Sequence, residues 1–151
     1  MRTNHPAPRS RRGNALVEFA VGFGMLLSFL AGVVQFGYAF YAYNALESAV
    51  RNGARYASLS VYDHPNGNDF RQRVQNMVVY GMPTPPVGAK PLVHTLTTGN
   101  VLVEVRKDVK NVPNRVTVAV NDFQVNSLFA KFTLSRKPQC IFEYMGRFVT
   151  P

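Results

Sequence analysis

Few residues in this chain suit chemistry by type, and fewer by spacing. The three histidines, His5, His64 and His94, are scattered and give no metal-ligand spacing. The single cysteine, Cys140, has Glu143 close by but no histidine, so no nucleophile–base–acid triad forms. One cysteine also excludes an intrachain disulfide framework and a Cys-based structural zinc site. His94 falls in a strand-like pattern and reads as structural, and Cys140 reads as a packed strand residue. Gly22, Gly24, Gly32 and Gly37 lie inside an apolar run and cannot build a phosphate-cradling loop. No catalytic set, metal or cofactor is expected. What remains is Glu18, an acid inside that apolar run, with Gly13 five residues before it, and two groups of cations. Arg2, Arg9, Arg11 and Arg12 precede the run; Arg106, Lys107, Lys110 and Arg115 crowd one hairpin, with Lys131, Arg136 and Lys137 further on. The second group is either a patch for a polyanion or a solvated rim. The absence of interleaved aromatics favours the rim.

The elements that must carry these residues follow from composition. The chain has 151 residues, a net charge of +9, and 21 glycines and prolines together. That allows one small domain with an appendage and argues against collagen-like or disordered character. A mean hydropathy of −0.07 excludes a polytopic membrane protein, but the average hides one very apolar end. Residues 1–13 read as a basic, proline-containing leader. It is either a basic tail for nucleic acid or an anionic surface, or a cytoplasmic flank that sets membrane orientation, and the apolar run that follows favours the flank.

From Ala15 to Tyr43 the strongly polar side chains are Glu18, Ser28 and Gln35. The core from Phe19 to Val34 covers roughly 24 Å as a helix, and flanking apolar residues bring it to bilayer thickness. Tyr38, Tyr41 and Tyr43 stand where an interfacial aromatic belt would be. A secretory signal peptide is the competing reading, but the run is long for one and the helical pattern continues through it. Ala42, Leu46, Ala49, Val50, Gly53, Ala54 and Ala57 keep helical spacing to about Ser60, and no proline occurs between residues 9 and 64. One helix over residues 14–60 is predicted, spanning a membrane over about 15–43 and amphipathic beyond. Glu47 and Arg51 form an i,i+4 pair on it. An intramembrane carboxylate marks a functional site by default, unless Glu18 lies at the headgroup boundary. Ala20, Gly24, Ser28 and Gly32, each four apart, form a small-residue stripe suited to close helix approach, or one produced by chance.

Gly13-Asn14-Ala15-Leu16-Val17-Glu18 resembles the processing site of type IV pilins and pseudopilins. The resemblance implies cleavage by prepilin peptidase between Gly13 and Asn14, with loss of the leader. The new ammonium at Asn14 would then lie one helical turn from Glu18, where each compensates the other. More narrowly, residues 11–60 resemble the TadE-like minor pilins of tight-adherence (Flp) pilus systems. The matching elements are Ala15-Leu16-Val17-Glu18-Phe19, Gln35-Phe36-Gly37 and the run from Ala49 to Ala57. That run, with Arg51, Gly53, Ala54 and Arg55, is close to the family's A-x-R-x-G-A-R-x-A pattern. Gln35 departs from the acid expected there in many relatives. The major Flp pilin is shorter and lacks a globular domain, so the length favours a TadE-like protein.

Residues 61–151 are predicted to form a small α+β domain. The turn-rich stretch from Asp63 to Asp69 ends the long helix, and Asn68 or Asp69 is a candidate cap for a short helix. That helix would bury Phe70, Val74, Met77 and Val78 and close at Gly81 and Pro83. Residues 82–91 hold four prolines and read as a loop. Strands are predicted over Leu92–Thr98, Val101–Lys107, Arg115–Val120 and Cys140–Tyr144, with a turn at Gly99-Asn100 and an irregular stretch over Phe123–Phe132. The expected fold is α+β: a long helix packed on a small antiparallel sheet, the layout of pilins.

The leading functional expectation is a structural protein of pilus assembly and not an enzyme. Its expected partners are other pilins and pseudopilins, prepilin peptidase, the inner-membrane assembly platform and membrane lipid; nucleic acid is not expected among them. It would sit in the bacterial inner membrane as a single-pass protein, N-terminus cytoplasmic and C-terminal domain periplasmic or extracellular, or enter the pilus. The alternative is a bitopic membrane protein whose basic outer domain binds nucleic acid or an acidic polymer.

Overall fold

In a computed structural model of the chain, the described residues are 12–62, 67–109, 111–126 and 131–147. The leader before Arg12, His64 and Lys110 therefore lie outside the described residues, as do the turn formers from Asp63 to Asn66. Helix α1 runs unbroken from Arg12 to Leu59, as the absence of proline and the sustained apolar periodicity require. Two compact units divide the chain, one ending at Gly37 and one beginning at Tyr38.

The first unit contains the apolar part of α1. Every residue from Gly13 to Leu30 is exposed. A window of 18 residues here has a mean hydropathy of 2.0, none of it buried. Leu16, Phe19, Met25 and Phe29 are 69–76% exposed. An apolar surface this continuous needs lipid or neighbouring helices to cover it.

The second unit is α+β. Its first wall is the remainder of α1, which buries Ala42, Leu46, Ala49, Val50, Ala54 and Ala57 in one hydrophobic cluster. Helix α2, Asn68–Tyr80, adds Phe70, Val74, Val78 and Val79. Met77 is only partly buried and Val79 takes the fourth core position. Neither Asn68 nor Asp69 caps α2: the N-cap is Gly67, in the left-handed region at φ 59°. A Cβ there would come within 2.6 Å of the Tyr62 ring, so a capping side chain is excluded by the ring it would strike. The C-terminus ends at Gly81, as expected, with φ 76° and its N–H donated to the Met77 carbonyl.

Strands β1 (Val101–Lys107), β2 (Pro113–Val120), β3 (Phe123–Asn126), β4 (Lys131–Leu134) and β5 (Gln139–Glu143) form two antiparallel sheets, ordered β1-β2-β5 and β3-β4. Val101, Val103 and Val105 pair with Val120, Val118 and Val116, and this row faces the core. Cys140 and Phe142 of β5 continue it opposite Val118 and Val116. The predicted strand Leu92–Thr98 does not form. Val93 and Leu96 are its buried residues, three apart rather than two, and the Leu96 N–H donates to the Val93 carbonyl at 3.1 Å. That is turn geometry, and a short 3-10 turn follows at Thr98–Asn100. The stretch expected to be irregular instead holds the β3–β4 pair, with Phe123 opposite Leu134 and Val125 opposite Phe132.

Candidate functional site

The sequence-derived site residues fall into three groups. Gly13, Asn14 and Glu18 begin α1, all exposed. Asn14 and Glu18 are four apart and share a helix face. Among the described residues no hydrogen bond or ion pair reaches Glu18. Ala20, Gly24, Ser28 and Gly32, each four apart, form a stripe of their own, which begins on the side of the helix away from Glu18. The Ser28 hydroxyl donates to the Gly24 carbonyl at 2.9 Å, so the only hydroxyl in the stripe is satisfied within its own helix. A Cβ added at Gly24 or Gly32 would meet nothing within 4 Å. The glycines of this stripe thus leave backbone open on an unoccupied surface.

The second group, Arg51, Gly53, Ala54 and Arg55, divides by face. Gly53 and Ala54 are buried, together with Ala49 and Ala57 of the same run, whereas Arg51 and Arg55 are exposed. The small residues give α2 a seat on α1. At Gly53 an added Cβ would collide with Cγ2 of Val78. Arg51 pairs with Glu47 at 2.8 Å on the exposed side, a contact worth about 0.5 kcal/mol at most in water.

The third group does not converge. Arg106 and Arg115 are directly paired across β1 and β2 and point outward. Glu143 lies opposite Arg115 on β5, and Glu104, two residues from Arg106, is held by Arg136 at 2.7 Å. Lys107 faces the other way, its ammonium 5.2 Å from the centre of the Tyr62 ring. Acids therefore interrupt the cationic face, and one cation is committed to an internal aromatic contact. Among the described residues the cations of this group thus alternate with acids and do not form one continuous basic surface.

His94 is exposed on a loop, and Cys140 is a free, half-buried thiol facing the core. Among the described residues no group of three or more His, Cys, Asp or Glu is placed to hold a metal ion. Two features escaped the sequence reading. One is a groove bounded by the Tyr38–Ala45 stretch of α1, residues 92–95 and β3. The other is a clasp around Tyr144. Its hydroxyl accepts the Tyr62 N–H at 3.0 Å and lies 2.7 Å from the Ser60 carbonyl, to which it donates. The alternation of Phe123 with Val125, and of Phe132 with Leu134, was the available signal for one groove wall; nothing local announces the clasp.

The family model for TadE-like proteins matches residues 13–55. The match begins at Gly13 and ends at Arg55, so it covers the exposed apolar stretch from Gly13 to Leu30 and reaches Gly53 and Ala54 of the small-residue seat for α2. Over these residues α1 is similar to TadE-like proteins. The helix is long and apolar enough to cross a membrane once. That is compatible with a single-pass membrane protein. Comparison with curated proteins and with solved structures found no match to the chain.

Proposed function

We propose that this chain is a minor pilin or pseudopilin that acts structurally in assembling a tight-adherence pilus, after prepilin peptidase cuts between Gly13 and Asn14. The observation that carries this reading is the TadE-like match over residues 13–55, laid on a helix whose apolar surface is wholly exposed from Gly13 to Leu30. Cleavage places an ammonium on Asn14, one turn before Glu18. In an apolar setting neither charge is tolerated alone, so each compensates the other within one subunit or across neighbours. The stripe from Ala20 to Gly32 lets a second helix approach α1 closely. The partners are other pilins and pseudopilins, the peptidase and the inner-membrane assembly platform. Four arginines and no acid precede Gly13, which supports an N-terminus in the cytoplasm and a second unit on the periplasmic side.

The test compares processing, membrane level and pilus number in Glu18→Ala and Gly24→Leu strains. Both proteins should be cleaved and inserted, because the peptidase reads chiefly the glycine and leader and neither change makes the helix more polar. Piliation should fall in both. Normal piliation at normal protein level in both strains would reduce this helix to an anchor.

A further inference from the structure

The groove beside the start of the second unit has a volume of about 460 Å³. Its floor is apolar, with Val93 and Phe123 both buried. Its rim is different. Tyr38 and Tyr41 stand 48% and 72% exposed on the α1 side, and His94, Thr95 and Gln124 are exposed on the loop and β3 side. Thr95 holds a φ of 69°, a conformation that β-branched residues rarely adopt. Two phenols, an imidazole, a hydroxyl and an amide thus surround an apolar trough. The α1 wall of that trough follows in sequence, within the same helix, on the apolar surface that runs from Leu16 to Phe36.

We propose that this groove is a phospholipid site, in which the glycerol–phosphate region meets the polar rim and the first acyl carbons lie on the apolar floor. The inference rests on the reading that residues 16–36 lie in a membrane. Two observations select lipid over a neighbouring helix. A helix like the one spanning residues 16–36 offers almost no side-chain acceptor for five rim groups that can donate hydrogen bonds, whereas a phosphodiester and its ester carbonyls offer several. The groove also begins where the exposed apolar surface of α1 gives way to tyrosines, the residue type that settles at headgroup depth. Occupation by lipid would tie the second unit to the bilayer surface rather than leave it free on the helix.

The experiment uses the full chain in nanodiscs of phosphatidylethanolamine with phosphatidylglycerol. The photoreactive residue p-benzoylphenylalanine replaces either Leu92, on the groove, or Phe29, in the apolar stretch, and intact mass is read after illumination. Leu92 and Phe29 are 58% and 76% exposed, so both sites accept the larger side chain. Both positions should gain the mass of one phospholipid. The double substitution His94→Leu with Gln124→Leu, at two exposed positions, should lower capture at position 92 by about fivefold or more, as loss of rim hydrogen bonds predicts, and leave capture at position 29 unchanged. Lipid capture at position 29 with none at 92, or a doubled chain mass at 92, overturns the site but not the membrane reading. Capture at 92 that the double substitution leaves unaltered also overturns it, since lipid is then only passing the surface. Absence of lipid capture at position 29 overturns the membrane reading and the site together.

Discussion

At Gly53 a missing side chain is what lets two helices meet. Val78 of α2 occupies the space that a Cβ would need, and both residues are buried. Alanine is the better helix former by about 1 kcal/mol, but overpacking a close-packed contact costs about 1–3 kcal/mol. Gly53→Ala should therefore lower the unfolding midpoint of the second unit, and adding Val78→Ala should restore part of the loss. Thermal unfolding followed by circular dichroism reads both; independent, additive effects would show that the two positions do not touch. Gly24 supplies the contrast, because nothing within 4 Å would meet its Cβ. Gly24→Ala should leave the unfolding midpoint of the second unit unchanged. The sequence marks both glycines equally. What separates them is a partner helix 25 residues further along, whose docking no local pattern encodes.

Among the elements, the segment after β5 fastens the end of α1. Tyr144 meets Ser60 and Tyr62 through its hydroxyl, the Met145 N–H donates to the Ser58 carbonyl at 2.8 Å, and the Tyr62 N–H reaches the Arg147 carbonyl at 3.1 Å. The Tyr144 ring also stands edge-on to Phe70, with ring centres 6.5 Å apart. Tyr144→Phe keeps the ring, strands the Ser60 carbonyl and leaves the Tyr62 N–H with the Arg147 carbonyl as acceptor, so a loss of about 1–3 kcal/mol is expected in chemical denaturation. Arg136→Ala, which breaks the exposed pair with Glu104, should cost less than about 1 kcal/mol by the same measurement. A larger loss from Arg136→Ala than from Tyr144→Phe would reverse this ranking. The valine alternation of β1 and β2 made those strands legible, and the unbroken apolar spacing did the same for α1. The segment around Leu92 was misread because its apolar residues look strand-like in composition while their spacing of three obeys a turn. The β3–β4 pair was obscured by a connection without a tight two-residue turn signature.

For the molecule as a whole, the proposed processing changes charge as well as length. Removing residues 1–13 takes away four arginines and no acid, so Lys plus Arg falls from 17 to 13 against 8 acids and the net charge from +9 to +5. Mature protein should begin at Asn14 by N-terminal sequencing, and Gly13→Leu should leave it uncut; Met1 at the start of assembled material would end the proposal. A reporter that is active only in the periplasm, fused after Pro151, should give signal, and activity confined to a cytoplasmic reporter would invert the topology. The candidate processing residues sit in one short run at the head of α1, where a local pattern is enough to propose them. The groove was not legible in the sequence, because its walls come from three segments between residues 38 and 125.

The clasp also sets an order of events during synthesis. Its hydrogen-bonding partners are separated by 82 and 84 residues, so the Ser58–Tyr62 end of α1 is made well before Tyr144 exists to close on it. Throughout that interval the alanine and valine face of α1 has only an incomplete set of neighbours. A nascent chain stopped at Phe142 should remain open to protease at the Ser58–Ser60 end of α1, while one extended past Arg147 should resist there. Closure is thus a late, single step on the ribosome's timetable. Any surveillance protease or chaperone that meets the nascent chain finds an unfinished fold until that step is complete.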